Sequence, residues 1–150
     1  LRDRVVLATK YSFNHQNPQG NPNAAGNGRK NLIRSLDASL ARLKTDYVDL
    51  FLLHWGGPHP IEDTVASMVE LQQEGKIKAW GVSNMDVPEM ERFYAVPGGA
   101  SCAANQILYN LAHRGVEYDL LPWCRERRLC PTDGGYVLRR ERDETRHQAS

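Results

Sequence analysis

Cysteine is scarce in this sequence, and the little there is makes no pattern. Cys102, Cys124 and Cys130 form no CxxC pair and have no histidine at zinc-finger spacing, so neither a disulfide framework nor a structural metal site is indicated. A reducing, cytoplasmic setting is expected. No apolar run approaches the roughly 18 residues of a membrane-spanning helix, and Leu1-Arg2-Asp3-Arg4 lacks the apolar core of a signal peptide. Excess charge of one sign is missing as well. With 19 Lys and Arg against 18 Asp and Glu, the net charge of +1 supplies no field to gather nucleic acid or an anionic membrane. Also absent are the GxGxxG and GxxxxGK[ST] loops that cradle phosphates in open nucleotide-binding sheets. Partners are expected to be small molecules.

What is present is a soluble, globular composition over 150 residues, 41% hydrophobic and 25% charged, which suits a single unit. The hydrophobic period changes along it in a regular way. Val5 to Ala8 reads as a buried strand ending at Thr9-Lys10, followed by a long Asn-, Gly- and Pro-rich connection over 14–28. Leu32, Ile33, Leu36, Leu40 and Leu43 then recur at three- and four-residue steps, the mark of an amphipathic helix over 29–44. Tyr47 to Leu53 is almost continuously apolar, as in a strand of a covered parallel sheet, and it ends at His54-Trp55.

The unit repeats. Pro60 and the stripe Ile61, Val65, Met68 and Val69 predict a helix that Gly75 ends. Ala79 to Val82 predicts a strand closing on Ser83-Asn84, and Asp86 with Glu89 makes a capping-box signal for a helix around 88–94. Cys102 to Ala104 leads into Asn105-Gln106 and an apolar run, Ile107 to Leu111, before a last helix over about 117–127. Four strand–helix units in succession predict an α/β fold with a parallel sheet. Pattern alone leaves a closed barrel and an open doubly wound sheet both standing.

In either architecture ligands bind at the carboxyl ends of the strands, so Lys10, His54, Ser83, Asn84 and Gln106 should share one mouth. An ammonium there lowers the pKa of a neighbouring acid, an imidazole can donate to a carbonyl oxygen, and hydroxyl and amide groups can read an amide. Each residue also has a plainer reading: Lys10 as a solvated cation, His54 as a satisfied core histidine, Ser83-Asn84 as a turn into a helix. Gln106 alone says almost nothing.

Several separated stretches change that balance. Ala-Thr-Lys10, the run from Ser39 through Thr45-Asp-Tyr-Val-Asp-Leu-Phe-Leu-Leu-His54-Trp55, Gly75-Lys-Ile-Lys-Ala-Trp-Gly-Val-Ser83-Asn84, and Asn105-Gln106 occur in an order that resembles the aldo-keto reductases. The resemblance covers residues 1 to about 126. It implies a partial (β/α)8 TIM barrel holding family strands 3 to 6, and reduction of aldehydes or ketones by hydride transfer from NADP(H). It implies catalytic roles for Lys10 and His54, nicotinamide-carboxamide binding by Ser83, Asn84 and Gln106, and a substrate-pocket place for Trp55.

The same resemblance puts the family's catalytic Tyr and Asp ahead of Lys10, outside this sequence. Tyr11 adjoins Lys10 but belongs to the opposite face of a strand, so it is not expected to replace the acid. Beyond Arg127 the resemblance stops, and residues 127–150 are expected to be an irregular, solvated C-terminal tail, as a shifted reading frame would leave. An inactive NADP(H)-binding module and a non-functional gene fragment stand as alternative readings.

Overall fold

The structure is a computed structural model that describes residues 2–12 and 25–133. Most of the tail expected over 127–150, its residues 134–150, and most of the Asn- and Gly-rich connection lie outside the described residues. Five strands alternate with four helices: β1 (Ala8–Tyr11), α1 (Arg29–Leu43), β2 (Val48–Leu53), α2 (Ile61–Gln73), β3 (Ile77–Ser83), α3 (Val87–Ala95), β4 (Ala104–Ile107), α4 (Leu120–Glu126) and β5 (Cys130–Asp133). All neighbouring strands pair in parallel, and their spatial order is their chain order, β1-β2-β3-β4-β5.

That order decides between the two architectures. A doubly wound sheet reverses direction at a switch point and carries helices on both faces, whereas right-handed crossovers that always step the same way stack every helix on one face. The packing agrees with the second case. Tyr11, Phe51, Leu53, Trp80, Val82 and Ile107 join Leu32, Leu36, Met68, Met90, Phe93 and Trp123 of the helices in one core, while Leu52 and Ala104 are buried outside it. The sheet is an arc of a (β/α)8 barrel, with helices outside and Leu52 and Ala104 on the inner face.

Local signals explain most boundaries. Asp86 accepts from the Glu89 amide at 2.8 Å and Glu89 accepts from the Asp86 amide at 3.0 Å, so both halves of the expected capping box start α3. Gly75 takes φ +77 just past α2, where a Cβ would be strained.

Three expectations need correction. The first strand lies three residues later than predicted, at Ala8–Tyr11, and Val5 and Val6 are 48% and 66% exposed. β-branched residues marked a strand there, but hydrogen bonds to β2 begin only at Leu7 and strand register only at Ala8. The apolar run after Gln106 does not extend β4, which ends at Ile107 and leaves Leu111 96% exposed. Finally, the described residues hold five strands rather than four. After Arg128 turns the chain at φ +54, Cys130–Asp133 pairs with β4 as an edge strand. Pro131, Thr132 and Asp133 lack the apolar run of a buried strand, and a proline is tolerated because an edge has one side free of ladder bonds.

Candidate active site

Parallel register lines up residues across the sheet in rows. One inner-face row runs Lys10, Leu52, Gly81, Ala104 and Cys130, and the next, two residues toward the carboxyl ends, runs through Ser83, Gln106 and Thr132. His54 continues that second row. It stands two residues beyond Leu52, and its amide extends the ladder by donating to the Tyr11 carbonyl at 3.0 Å. The structure therefore brings Lys10, His54, Ser83 and Gln106 to one edge of the helix-free face. Gly81 keeps the row below them narrow, since a Cβ there would collide with the Ala104 carbonyl oxygen and crowd Leu52.

Lys10 is partly buried, and desolvation pulls its pKa below the ordinary lysine value. No carboxylate pairs with it among the described residues. Tyr11 points the other way. It is 2% exposed, stacks on Phe51 at 5.2 Å within the helix-facing core, and burial pushes its pKa up, so it is no proton donor to the inner face. Trp55 is 48% exposed and its ring stacks on that of His54 at 5.0 Å.

The Ser83-Asn84 turn is tightly built. Asn84 has φ +53, a conformation asparagine tolerates better than most residues, and its amide donates to the Gln106 carbonyl at 2.7 Å. The Ser83 hydroxyl, on a residue 3% exposed, donates to the same carbonyl at 3.2 Å. The Asn84 side-chain oxygen accepts from the Leu108 amide at 2.8 Å, and Nδ2 donates one hydrogen to Ser83 Oγ at 3.4 Å, which leaves its second hydrogen to serve a ligand. Gln106 Oε1 is buried and accepts no hydrogen bond. A buried acceptor of this kind costs roughly 1–3 kcal/mol unless a donor reaches it.

Sequence reasoning missed the residues that grip the neighbouring loops. The Ser12 hydroxyl, on a residue at φ +126, donates to the Trp55 carbonyl at 3.2 Å and accepts from the Trp55 amide at 3.4 Å. Asn27, 3% exposed, donates to the His59 carbonyl at 2.9 Å and accepts from the His59 amide at 3.2 Å. Gly57 makes room for that clamp, because a Cβ on it would strike the Asn27 side chain. Asn105 holds Met85 in the same two-bonded way. Only the last had a signal, its place beside Gln106, and the strand period gives it the opposite face. Among the described residues no group of three His, Cys, Asp or Glu is poised for a metal, and no helix is long and apolar enough to cross a membrane.

The Aldo/keto reductase family profile matches residues 1–130. The chain is 46% identical over 130 residues to methylglyoxal reductase YeaE of Escherichia coli, covering 86% of this chain and 42% of that protein. It is 40% identical over 129 residues to aldo-keto reductase YhdN of Bacillus subtilis, covering 85% and 37%. A crystal structure of an aldo/keto reductase from Klebsiella pneumoniae in complex with NADP and acetate superposes with a TM-score of 0.76 at 45% identity, covering 87% of this chain and 42% of that one. The chain thus spans about two fifths of the length of the relatives it matches. With family match, fold and identity in agreement over the barrel arc, the chain belongs to the aldo/keto reductase family.

Proposed function

We propose that the protein is an NADP(H)-dependent oxidoreductase that reduces small aldehydes or ketones to alcohols. The observation that carries this reading is the complementarity of the Ser83–Asn84–Gln106 cluster to a primary carboxamide. Such a group offers one acceptor oxygen and two N–H donors. Asn84 Nδ2 supplies its remaining hydrogen for the oxygen, while the buried, unpartnered Gln106 Oε1 and the remaining lone pair of Ser83 Oγ accept from the amide. Ser83, Asn84 and Gln106 would hold a nicotinamide carboxamide there, and the cofactor would supply the hydride.

Charge, orientation and pocket surface come from this chain. Lys10, one row below Ser83 and Gln106, brings positive charge to the edge where the carbonyl oxygen gains negative charge. The same charge lowers the pKa of a phenol beside it, the group the family uses as its proton donor. His54, level with Ser83, donates to the carbonyl oxygen and orients it. Trp55 supplies apolar surface at the mouth. Because Lys10 must stay protonated, the depression of its pKa brings the alkaline limb of the rate below the ordinary lysine value of 10.5.

Methylglyoxal, which the Escherichia coli relative is named for reducing, is the first carbonyl to test. The purified protein is mixed with NADPH, and nicotinamide absorbance is followed on adding methylglyoxal or another small aldehyde. The expected result is consumption of NADPH that depends on the aldehyde and is lost in His54→Ala. Binding of NADPH without turnover removes the reductase and leaves a cofactor-holding module, and absence of binding removes both.

A further inference from the structure

Asn105 is 0% exposed and takes no part in the steps above. It lies on β4 next to Gln106, yet the strand period turns it toward the helices, where its carboxamide meets the backbone of Met85 on the neighbouring unit. Nδ2 donates to the Met85 carbonyl at 2.8 Å, and Oδ1 accepts from the Met85 amide at 3.4 Å. Met85 is itself 4% exposed, so water does not serve its peptide groups. The ladder between β3 and β4 ends at Ser83 and Gln106, and Asn84 turns left-handed at φ +53 before Asp86 begins the cap of α3. Without the Asn105 side chain, the first residue after that turn would leave both an N–H and a C=O buried and unmade.

The turn is therefore held from both sides by two consecutive residues of β4. The Gln106 carbonyl fixes the entry, taking the Asn84 amide and the Ser83 hydroxyl, and the Asn105 carboxamide fixes the exit at Met85. Between those grips the chain has little freedom to rotate, and the direction of Asn84 Nδ2 and Ser83 Oγ follows. We infer that Asn105 is a positioning residue: it sets the Ser83–Asn84 turn in the orientation that receives the cofactor carboxamide. This rests on the cofactor reading proposed above.

An isosteric change isolates the donated bond. Asn105→Asp still accepts from the Met85 amide but sets an oxygen against the Met85 carbonyl, while Asn105→Leu keeps the volume and removes both bonds. Affinity for NADP+ is measured by calorimetry on the full chain, with backbone amide exchange at Asn84, Met85 and Leu108 read in parallel. Asn27→Ala serves as the control, because it breaks a buried clamp that holds His59 and Thr64 and makes no hydrogen bond to the Ser83–Asn84 turn. The expected result is an NADP+ Kd raised about tenfold in Asn105→Asp and about thirtyfold in Asn105→Leu, with faster exchange at Asn84 and Leu108. Asn27→Ala should lose comparable thermal stability and change Kd by no more than about twofold. An unchanged Kd in both Asn105 variants overturns the inference, as does a loss in Asn27→Ala equal to theirs. If the unsubstituted protein does not bind NADP+, the cofactor reading falls, and the exchange rates alone decide whether Asn105 sets the turn: unchanged rates at Asn84 and Leu108 remove that role as well.

Discussion

The two ends of the barrel arc are built to opposite rules. At the amino ends of the strands, charges close on one another. Arg2 pairs with Asp49 at 2.7 Å, donates to the Tyr47 carbonyl at 3.2 Å and lies 4.1 Å from the centre of the Tyr47 ring, with the Lys78 ammonium 4.6 Å from that centre. Asp49 also accepts from the Leu7 amide at 2.8 Å. At the carboxyl ends, Lys10 has no carboxylate partner among the described residues and Gln106 Oε1 has no donor. One end spends its charges on the fold, and the other holds Lys10 and Gln106 in reserve at some cost in desolvation. That division matches the general separation of stability and chemistry between the two faces of (β/α)8 barrels.

The comparison is open to direct attack, and the largest effect should fall at the carboxyl end. Lys10→Met is expected to lower kcat/KM for carbonyl reduction about a thousandfold while changing folding stability by no more than about 0.5 kcal/mol. Steady-state kinetics and denaturant unfolding of the same preparation check both halves, and a parallel loss of stability would make Lys10 structural.

Asp49→Ala should do the reverse. It strands the Arg2 guanidinium and the Leu7 amide, so a loss of about 2–3 kcal/mol is expected in urea unfolding, with kcat/KM per folded molecule unaltered. Acid should expose the same contact. Burial tends to raise the Asp49 carboxyl, but the Leu7 amide and the Arg2 guanidinium outweigh it and hold the pKa below the ordinary value of 3.8. A depressed pKa means that Asp49 contributes fully above 3.8 and that the contribution fades as pH falls through the lower, folded value. Urea midpoints measured across that range should converge for the parent and Asp49→Ala. Persistence of the gap into strong acid would put the stabilisation elsewhere.

The smallest expected effect sharpens the contrast at a backbone position. Gly75, at φ +77 in the turn that leads from α2 into β3, has open space around a would-be Cβ, so Gly75→Ala meets conformational strain without a clash. A cost of about 1 kcal/mol in thermal unfolding, with cofactor affinity intact, is expected.

How legible each part was follows from how local its cause is. The α1 stripe of Leu32, Leu36 and Leu40, the covered strand ending at His54 and the Asp86–Glu89 capping box all express neighbours within one helical turn or one strand, and each emerged with nearly the expected bounds. β5 was not legible, because four residues with a proline at a sheet edge have no hydrophobic period to read. The exposed Leu108 and Leu111 misled for the converse reason: apolar character resembled a strand, but pairing partners end at Ile107. For the site, the strand-end positions of Lys10, His54, Ser83 and Gln106 followed from period and order. The grips of Ser12, Asn27 and Asn105 did not, since an Asn or Ser in a loop or strand carries no mark of the distant peptide it will hold.

By itself, the sequence determined the alternation of strand and helix and which polar residues close the strands, because hydrophobic period, caps and glycine breaks act over a few residues. Tertiary structure alone decided that the sheet steps in one direction, that Tyr11 stacks on Phe51 within the helix-facing core, and that β4 clamps the turn after β3. Strand order and side-chain grips join residues tens of positions apart, and such contacts are selected by the packing of the whole arc rather than by any local preference.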